Sequence, residues 1–335
     1  MKREQGFGLV EMLISTAMFM VLLGATLSTL NDSMGLYQKT SQMTDLEQNT
    51  RAGINFMVQD FIQAGWGIPT GGIPIPNGAG VLAVIRPGPP GKNYTFAGLD
   101  TLAAVNPGAA LGPQGEGRAT DIVNILYADN LLPLNQSPLV SIGANGSSMT
   151  VNANTPITGV PNALSVGDLI LFSNALGETV QYVTAINKQV VSFAANDAMN
   201  LNQSGAPQGC IMQLQSGGVF PPTTATRVWM VSYYLDYTTD PTTPRLIRRI
   251  NNRAGQVVGL VLEDLQLSYD LVDGVTNPTN VKSPVAPNSP NQIRKVNIYI
   301  SGRSDSVIRN TNTYLRHSLT TEVSLRSLAF VNRYS

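Results

Sequence analysis

The start of the chain restricts it most. From Met12 to Leu30 no residue is charged, and Leu, Met, Val, Phe and Ala dominate. About 20 helical residues, rising about 1.5 Å each, cross a hydrocarbon core about 30 Å thick. Lys2 and Arg3 precede the run, and basic residues before a span favour leaving that end in the cytoplasm. Three readings compete. One is a secretory signal peptide, cut near Gly24-Ala25 and lost. Another is a plain membrane anchor. The third turns on Glu11, near the front of the apolar run. A carboxylate costs about 2.5–3.5 kcal/mol at the bilayer centre and less near the interface. Signal peptides rarely carry an acid there, and a carboxylate that deep needs a partner.

After Asn31 the sequence turns amphipathic. Leu36, Met43, Leu46, Thr50, Ile54 (or Gly53), Met57 and Phe61 follow steps of mostly three and four, which is one face of a helix. Polar and charged residues, among them Lys39, Asp45, Glu47 and Arg51, lie between them. The run ends at Ala64-Gly65, with Gly65 suited to the residue after the C-cap and Pro69 beyond. Gly35 and Gly53 lower helix propensity and are expected to mark bends. Asp60 reads as a solvated helical charge, with a buried contact to a sheet as the alternative.

Composition narrows the function classes. Lys plus Arg and Asp plus Glu are 21 each, so there is no basic footprint for nucleic acid. One cysteine, Cys210, and one histidine, His317, exclude an internal disulfide and Cys/His zinc sites. Cys210 reads as a small, half-buried apolar residue, with an intermolecular disulfide as the alternative. Gly88-Pro89-Pro90-Gly91-Lys92 is too short for a P-loop, and prolines cannot donate N–H to phosphate. Asp270-Leu271-Val272-Asp273-Gly274 and Asn196-Asp197 read as turns, not as a calcium loop.

The later chain is strand-rich over 119–127, 169–172, 180–186, 190–193, 228–237, 246–250, 257–271, 296–300 and 320–331. Gly167-Asp168 and Asn187-Lys188 sit where turns should fall. Asp121, Asp236 and Asp264 are acids in strand-like runs. His317 and Ser318 would point to opposite faces, so they are no ready acid–base pair, and a surface histidine is expected.

Several stretches carry a resemblance. Gly6-Phe7-Gly8-Leu9-Val10-Glu11 resembles the processing motif of type IV prepilins and pseudopilins, with Gly8 where Thr or Ser is more usual. The resemblance implies cleavage after Gly6 by a prepilin peptidase, N-methylation of Phe7, and pairing of Glu11 with a neighbour's N-terminus during assembly. Arg51-Ala52 through Phe56, Asp60 and Ala64-Gly65 resembles a helix stretch of PilW-type minor pilins, which J-type pseudopilins of type II secretion share in a related form. Tyr233-Tyr234-Leu235, Leu246-Ile247-Arg248, the run from Glu263 to Tyr269, and Val323-Ser324-Leu325-Arg326 resemble later parts of the same chains, in the same order.

The expected fold class is α+β: a long N-terminal helix on a β-rich pilin-like head. The expected division is a leader at 1–6, a membrane or filament-core helix at 7–30, an amphipathic helix at 31–64 and a head at 65–335. Residues 137–207 are a candidate inserted β-subdomain. The resemblance implies a non-catalytic minor pilin, priming assembly of a type IV pilus or sitting at its tip, with no cofactor, metal or catalytic residue. Its implied partners are other minor and major pilins, the prepilin peptidase, the inner membrane and the assembly platform, and not nucleic acid. The head would lie in the periplasm and then on the cell surface, in adhesion or motility. The alternatives are a J-type pseudopilin, and a secreted β-rich hydrolase or sugar-binding protein behind a signal peptide.

Overall fold

The computed structural model describes residues 8–115, 117–136, 138–308 and 312–329. Helix α1 (Leu9–Gln63) runs unbroken for 55 residues, about 82 Å at 1.5 Å per residue. It bends neither at Gly35 nor at Gly53 enough to interrupt its hydrogen bonding. In its apolar half the hydroxyls of Thr16, Thr26 and Thr29 donate to carbonyls three or four residues back. Those polar groups are therefore satisfied within the helix and can enter an apolar medium. The helix stops at Ala64, and Gly65 follows with φ 80°. The Gly65 N–H donates to the Leu126 carbonyl at 2.8 Å, and a Cβ there would lie 2.9 Å from Leu328. Glycine thus serves both the left-handed turn and the close approach to the head.

The head is antiparallel. Its larger sheet holds β1 (Val105–Gly108), β2 (Ile122–Ala128), β3 (Leu169–Asn174), β4 (Gly177–Tyr182), β5 (Thr224–Asp236), β6 (Arg245–Ile250) and β7 (Gln256–Leu260). The long strand β5 organises it. One edge of β5 pairs first with β3 and then with β6, while the other pairs with β2. A second sheet holds β8 (Leu262–Leu271), β9 (Ile293–Arg303) and β10 (Arg316–Ser324). The single strand expected over 257–271 is therefore two strands in two sheets. It breaks at Val261, whose φ of 55° no β-branched residue favours. The last expected strand ends at Ser324, and residues Arg326–Ala329 form the short helix α2.

Helix α1 packs on β7, β9 and β10 and also touches β2. Leu46, Thr50, Gly53, Ile54, Met57, Asp60 and Phe61 are its buried residues, again at steps of three and four. Burial starts later than the apolar stripe does: Leu36 is 67% exposed and Met43 37%. Among the described residues the head reaches the helix near Gln42, whose amide donates to the Ser306 hydroxyl at 2.6 Å. Ile54, Met57 and Phe61 share one core with Val231, Leu246, Leu262 and Ile300. At about 1.5–3 kcal/mol per buried large apolar side chain, these few residues supply much of the docking energy.

Residues 137–207 contribute to two sheets. Ser141–Ile142, Ser148–Thr150, Ala185–Asn187 and Val190–Ser192 make a small four-stranded sheet, while β3 and β4 from the same stretch join the larger one. Phe172 and Phe193 meet edge to face at 5.4 Å in the core beneath. Cys210 is fully buried rather than half-buried, with its sulfur 3.1 Å from the Ala206 carbonyl.

Two glycines set the helix-to-sheet distance. A Cβ on Gly53 would lie 3.0 Å from Leu246 Cδ2, and one on Gly302 in β9 would lie 3.0 Å from Leu46 Cδ1. Gly53→Val is expected to destabilise the head by about 1–3 kcal/mol through overpacking, although it removes a poor helix former. Chemical denaturation of the full chain in detergent measures this, and an unchanged or raised midpoint contradicts it.

Candidate functional site: the N-terminal rod and its anchorage

Gly6 and Phe7 lie outside the described residues. Glu11 is in the first turn of α1, and its Oε2 accepts the Gly8 N–H at 3.1 Å. A carboxylate at that point satisfies a free backbone donor and sits favourably at the positive end of the helix dipole. Beyond it the apolar half is bare: the most hydrophobic stretch of α1 buries nothing against the head. Leu9, Met12, Phe19, Met20 and Val21 are all more than half exposed. So large a run of apolar surface marks a membrane or protein contact.

The other end of the helix is held by charge. Asp60 is 4% exposed. Its Oδ2 lies 2.7 Å from Arg248 Nε and its Oδ1 2.9 Å from Arg248 Nη2. The Tyr233 hydroxyl donates to Oδ2 at 2.5 Å, and the Tyr127 hydroxyl to Oδ1 at 3.2 Å. Each carboxylate oxygen thus accepts two donors, and the arginine engages as a planar fork. Hydrogen bonding to Asp60 raises Arg248 further above its ordinary range. Burial, reinforced by the Asp60 charge, pushes both phenols well above theirs. At neutral pH both tyrosines are therefore donors.

The expectation that Asp60 is a solvated charge is corrected here. Its polarity suggested water, but its position lies three residues after Met57 and seven after Gly53, on the buried stripe. The period was the better guide. The cluster also joins residues noted separately in the sequence: Asp60 of the helix stretch, Tyr233 of Tyr-Tyr-Leu and Arg248 of Leu-Ile-Arg. Tyr127 on β2 was missed, and no local signal marked it.

The other acids have structural partners. Asp121 accepts the Ala110 and Leu267 N–H groups, both at 2.7 Å, while burial pushes its carboxyl upward. Asp236 accepts the Thr238 N–H and hydroxyl and the Thr239 hydroxyl. Asp264, fully buried, takes Arg118 Nε at 2.7 Å and Gln266 at 2.9 Å. His317 pairs with Gly302 on β9 and is half-buried, whereas Ser318 is exposed. Asp273 closes its own turn by accepting the N–H groups of Val275, Thr276 and Asn277, which hold its carboxyl well below the usual range. Asp197 accepts the Met199 and Asn202 N–H groups.

Residues 1–27 match the family model for the prokaryotic N-terminal methylation motif. This match supports a type IV prepilin-like protein. No curated protein and no solved structure matches the chain. The motif and the bare apolar helix together point to anchoring in the inner membrane and to processing by a prepilin peptidase.

Asp60→Asn keeps the shape of the cluster and removes its negative charge. Leaving Arg248 without its carboxylate is expected to destabilise the fold by about 3–5 kcal/mol. The double variant Asp60→Leu, Arg248→Met is expected to recover part of that loss. Denaturation midpoints of the three full-length proteins in detergent decide the matter. A wild-type midpoint for Asp60→Asn contradicts the role of the cluster.

Proposed function

We propose that this chain is a PilW-type minor pilin, a non-catalytic subunit that primes assembly of a type IV pilus or sits at its tip. The division of α1 carries the reading. Its first part is a bare apolar rod, and its last turns are locked to the head by Asp60. A subunit that leaves a bilayer for a filament needs both: a rod that exchanges lipid for like helices, and a joint that keeps the head fixed during the transfer. The meeting of Asp60, Tyr233 and Arg248, drawn from stretches that resemble PilW-type chains, favours that branch.

In this proposal the peptidase cuts after Gly6, and Phe7 becomes the N-methylated first residue of a rod at 7–30. Residues 31–64 link the rod to a periplasmic head at 65–335. Glu11 then meets the cationic N-terminus of a neighbouring minor or major pilin, which offsets the cost of removing both charges from water. The assembly platform supplies the setting for this exchange.

Processing is tested at Gly6, where a side chain would obstruct the peptidase pocket. Gly6→Val is expected to leave an unprocessed membrane-bound precursor, whereas wild type should yield a mature chain beginning with methylated Phe7 by mass spectrometry. A wild-type chain beginning near residue 25 would support a secretory signal instead.

Assembly is tested at Glu11. Glu11→Gln retains an oxygen for the Gly8 N–H and removes the charge, while Glu11→Ala removes both. Both variants should be processed. Both are expected to enter sheared pili at least about tenfold less than wild type, the loss expected for an unpaired buried ammonium. Recovery by Gln would mean that Glu11 acts as a helix cap, and equal incorporation of all three would remove the pairing role.

A further inference from the structure

A cleft of about 520 Å³ opens between the loop at 87–93 and the turn that joins β6 to β7. The loop is the Gly-Pro-Pro-Gly-Lys stretch whose spacing excludes a P-loop. Its shape depends on Gly88, because a Cβ there would lie 2.7 Å from Tyr94 Cδ2. The charged residues that line the cleft are Arg86, Lys92, Arg249 and Arg253, and no aspartate or glutamate is among them. The chain as a whole carries equal numbers of both signs, so the fold itself concentrates the positive charge here.

The cations play different parts. Arg253 is held by the fully buried Asp168. Arg86 turns inward, donating to the carbonyls of Asn106 and Pro107 at 2.9 and 2.6 Å and stacking 4.8 Å from the Phe96 ring centre. It adds positive potential from the wall rather than a contact. Arg249 donates to the Arg253 carbonyl at 2.7 Å and to the Asn252 side chain at 2.5 Å. Lys92 is exposed. Among the described residues none of Arg86, Lys92 and Arg249 has a carboxylate partner. Tyr234, at the cleft wall, keeps its proton because burial pushes its phenol upward.

We propose that this cleft binds an acidic saccharide, a sugar carrying a carboxylate or sulfate. Arg249, whose Nε and Nη2 are held by the turn, adds its positive charge from the wall, and exposed Lys92 offers a mobile point charge. The half-buried Tyr94 and the exposed Pro90 present apolar faces for the C–H surface of a sugar ring, and exposed Asn93 presents an amide for its hydroxyls. The prolines cannot provide the row of backbone N–H donors that cradles a nucleotide phosphate. A nucleic acid calls for a long basic stripe, which a compact cleft on a net-neutral chain does not supply. The inference does not depend on the role in assembly.

The test is calorimetric titration of the full chain in detergent with a short oligogalacturonate, a heparin-derived tetrasaccharide, maltotetraose, inorganic phosphate and a single-stranded oligonucleotide. At least one acidic sugar is expected to bind and maltotetraose is not. Lys92→Glu, at an exposed position, should weaken binding at least about tenfold, and Arg249→Gln should weaken it comparably. Raising the ionic strength from about 0.01 to about 0.15 M shortens the screening length from about 30 to about 8 Å and should weaken it further. The proposal is overturned if no acidic sugar binds, if maltotetraose binds equally well, or if both variants bind like wild type. Binding of phosphate alone, or of the oligonucleotide alone, overturns it too, by assigning a different ligand.

Discussion

One buried carboxylate sets the relation between the two parts of this molecule. Asp60 projects from the last turns of a 55-residue helix into the head, and its four hydrogen bonds come from β2, β5 and β6. Apolar packing fixes which face of the helix is buried but tolerates sliding along that stripe better than a charged contact does, because Ile54, Met57 and Phe61 are all large apolar side chains. A fork of charge-assisted bonds has no such tolerance. A shift of one residue would carry Asp60 away from Arg248 and leave both charges buried and unpaired, which costs several kcal/mol. The carboxylate therefore acts as a register pin, and the apolar stripe supplies the adhesion around it.

The same strategy recurs deeper in the head. Arg227 of β5, only 2% exposed, takes Asp129 at 2.8 and 2.5 Å and also faces Asp168. Arg227 and Arg253 both lie over Trp229. Strand β5 thus carries one charged cluster near its start, around Arg227, and shares another near its end, through Tyr233. Between them its apolar residues fill the cores on both sides. A 13-residue strand with neighbours that change along one edge needs a fixed register, and buried ion pairs at separated points supply it.

The helix is thus bare at one end and part of the core at the other. From Leu9 to about Met43 it meets little of the head, so its apolar surface remains for lipid or for other helices. Gly53 and Gly302 let the fixed end sit close to the sheet while the helix stays continuous. The basic cleft lies in the head, on the loop at 87–93 and the turn after β6, so the bare apolar rod and the proposed ligand site draw on separate residues.

Much of this was legible in the sequence, and the boundary of what was legible has a physical basis. The uncharged run at 12–30, the three-and-four spacing after it and the stop at Gly65 follow from local rules: hydrocarbon thickness, helical period and the freedom of glycine to turn left-handed. They determined the rod, the α+β class and, through Glu11 and the residues around it, the prepilin-like N-terminus. The break at Val261 was hidden, because a valine in a left-handed conformation runs against local preference and is held there by its surroundings. Asp60 was misread, since its partners lie 188 and 173 residues away at Arg248 and Tyr233. The grouping of Lys92 with Arg249 is likewise a product of the tertiary fold. Local periodicity says which face of a helix is apolar. Whether a charge on that face meets water or an arginine is decided only when strands distant in sequence come together, because the cost of burying the charge depends on what is waiting for it.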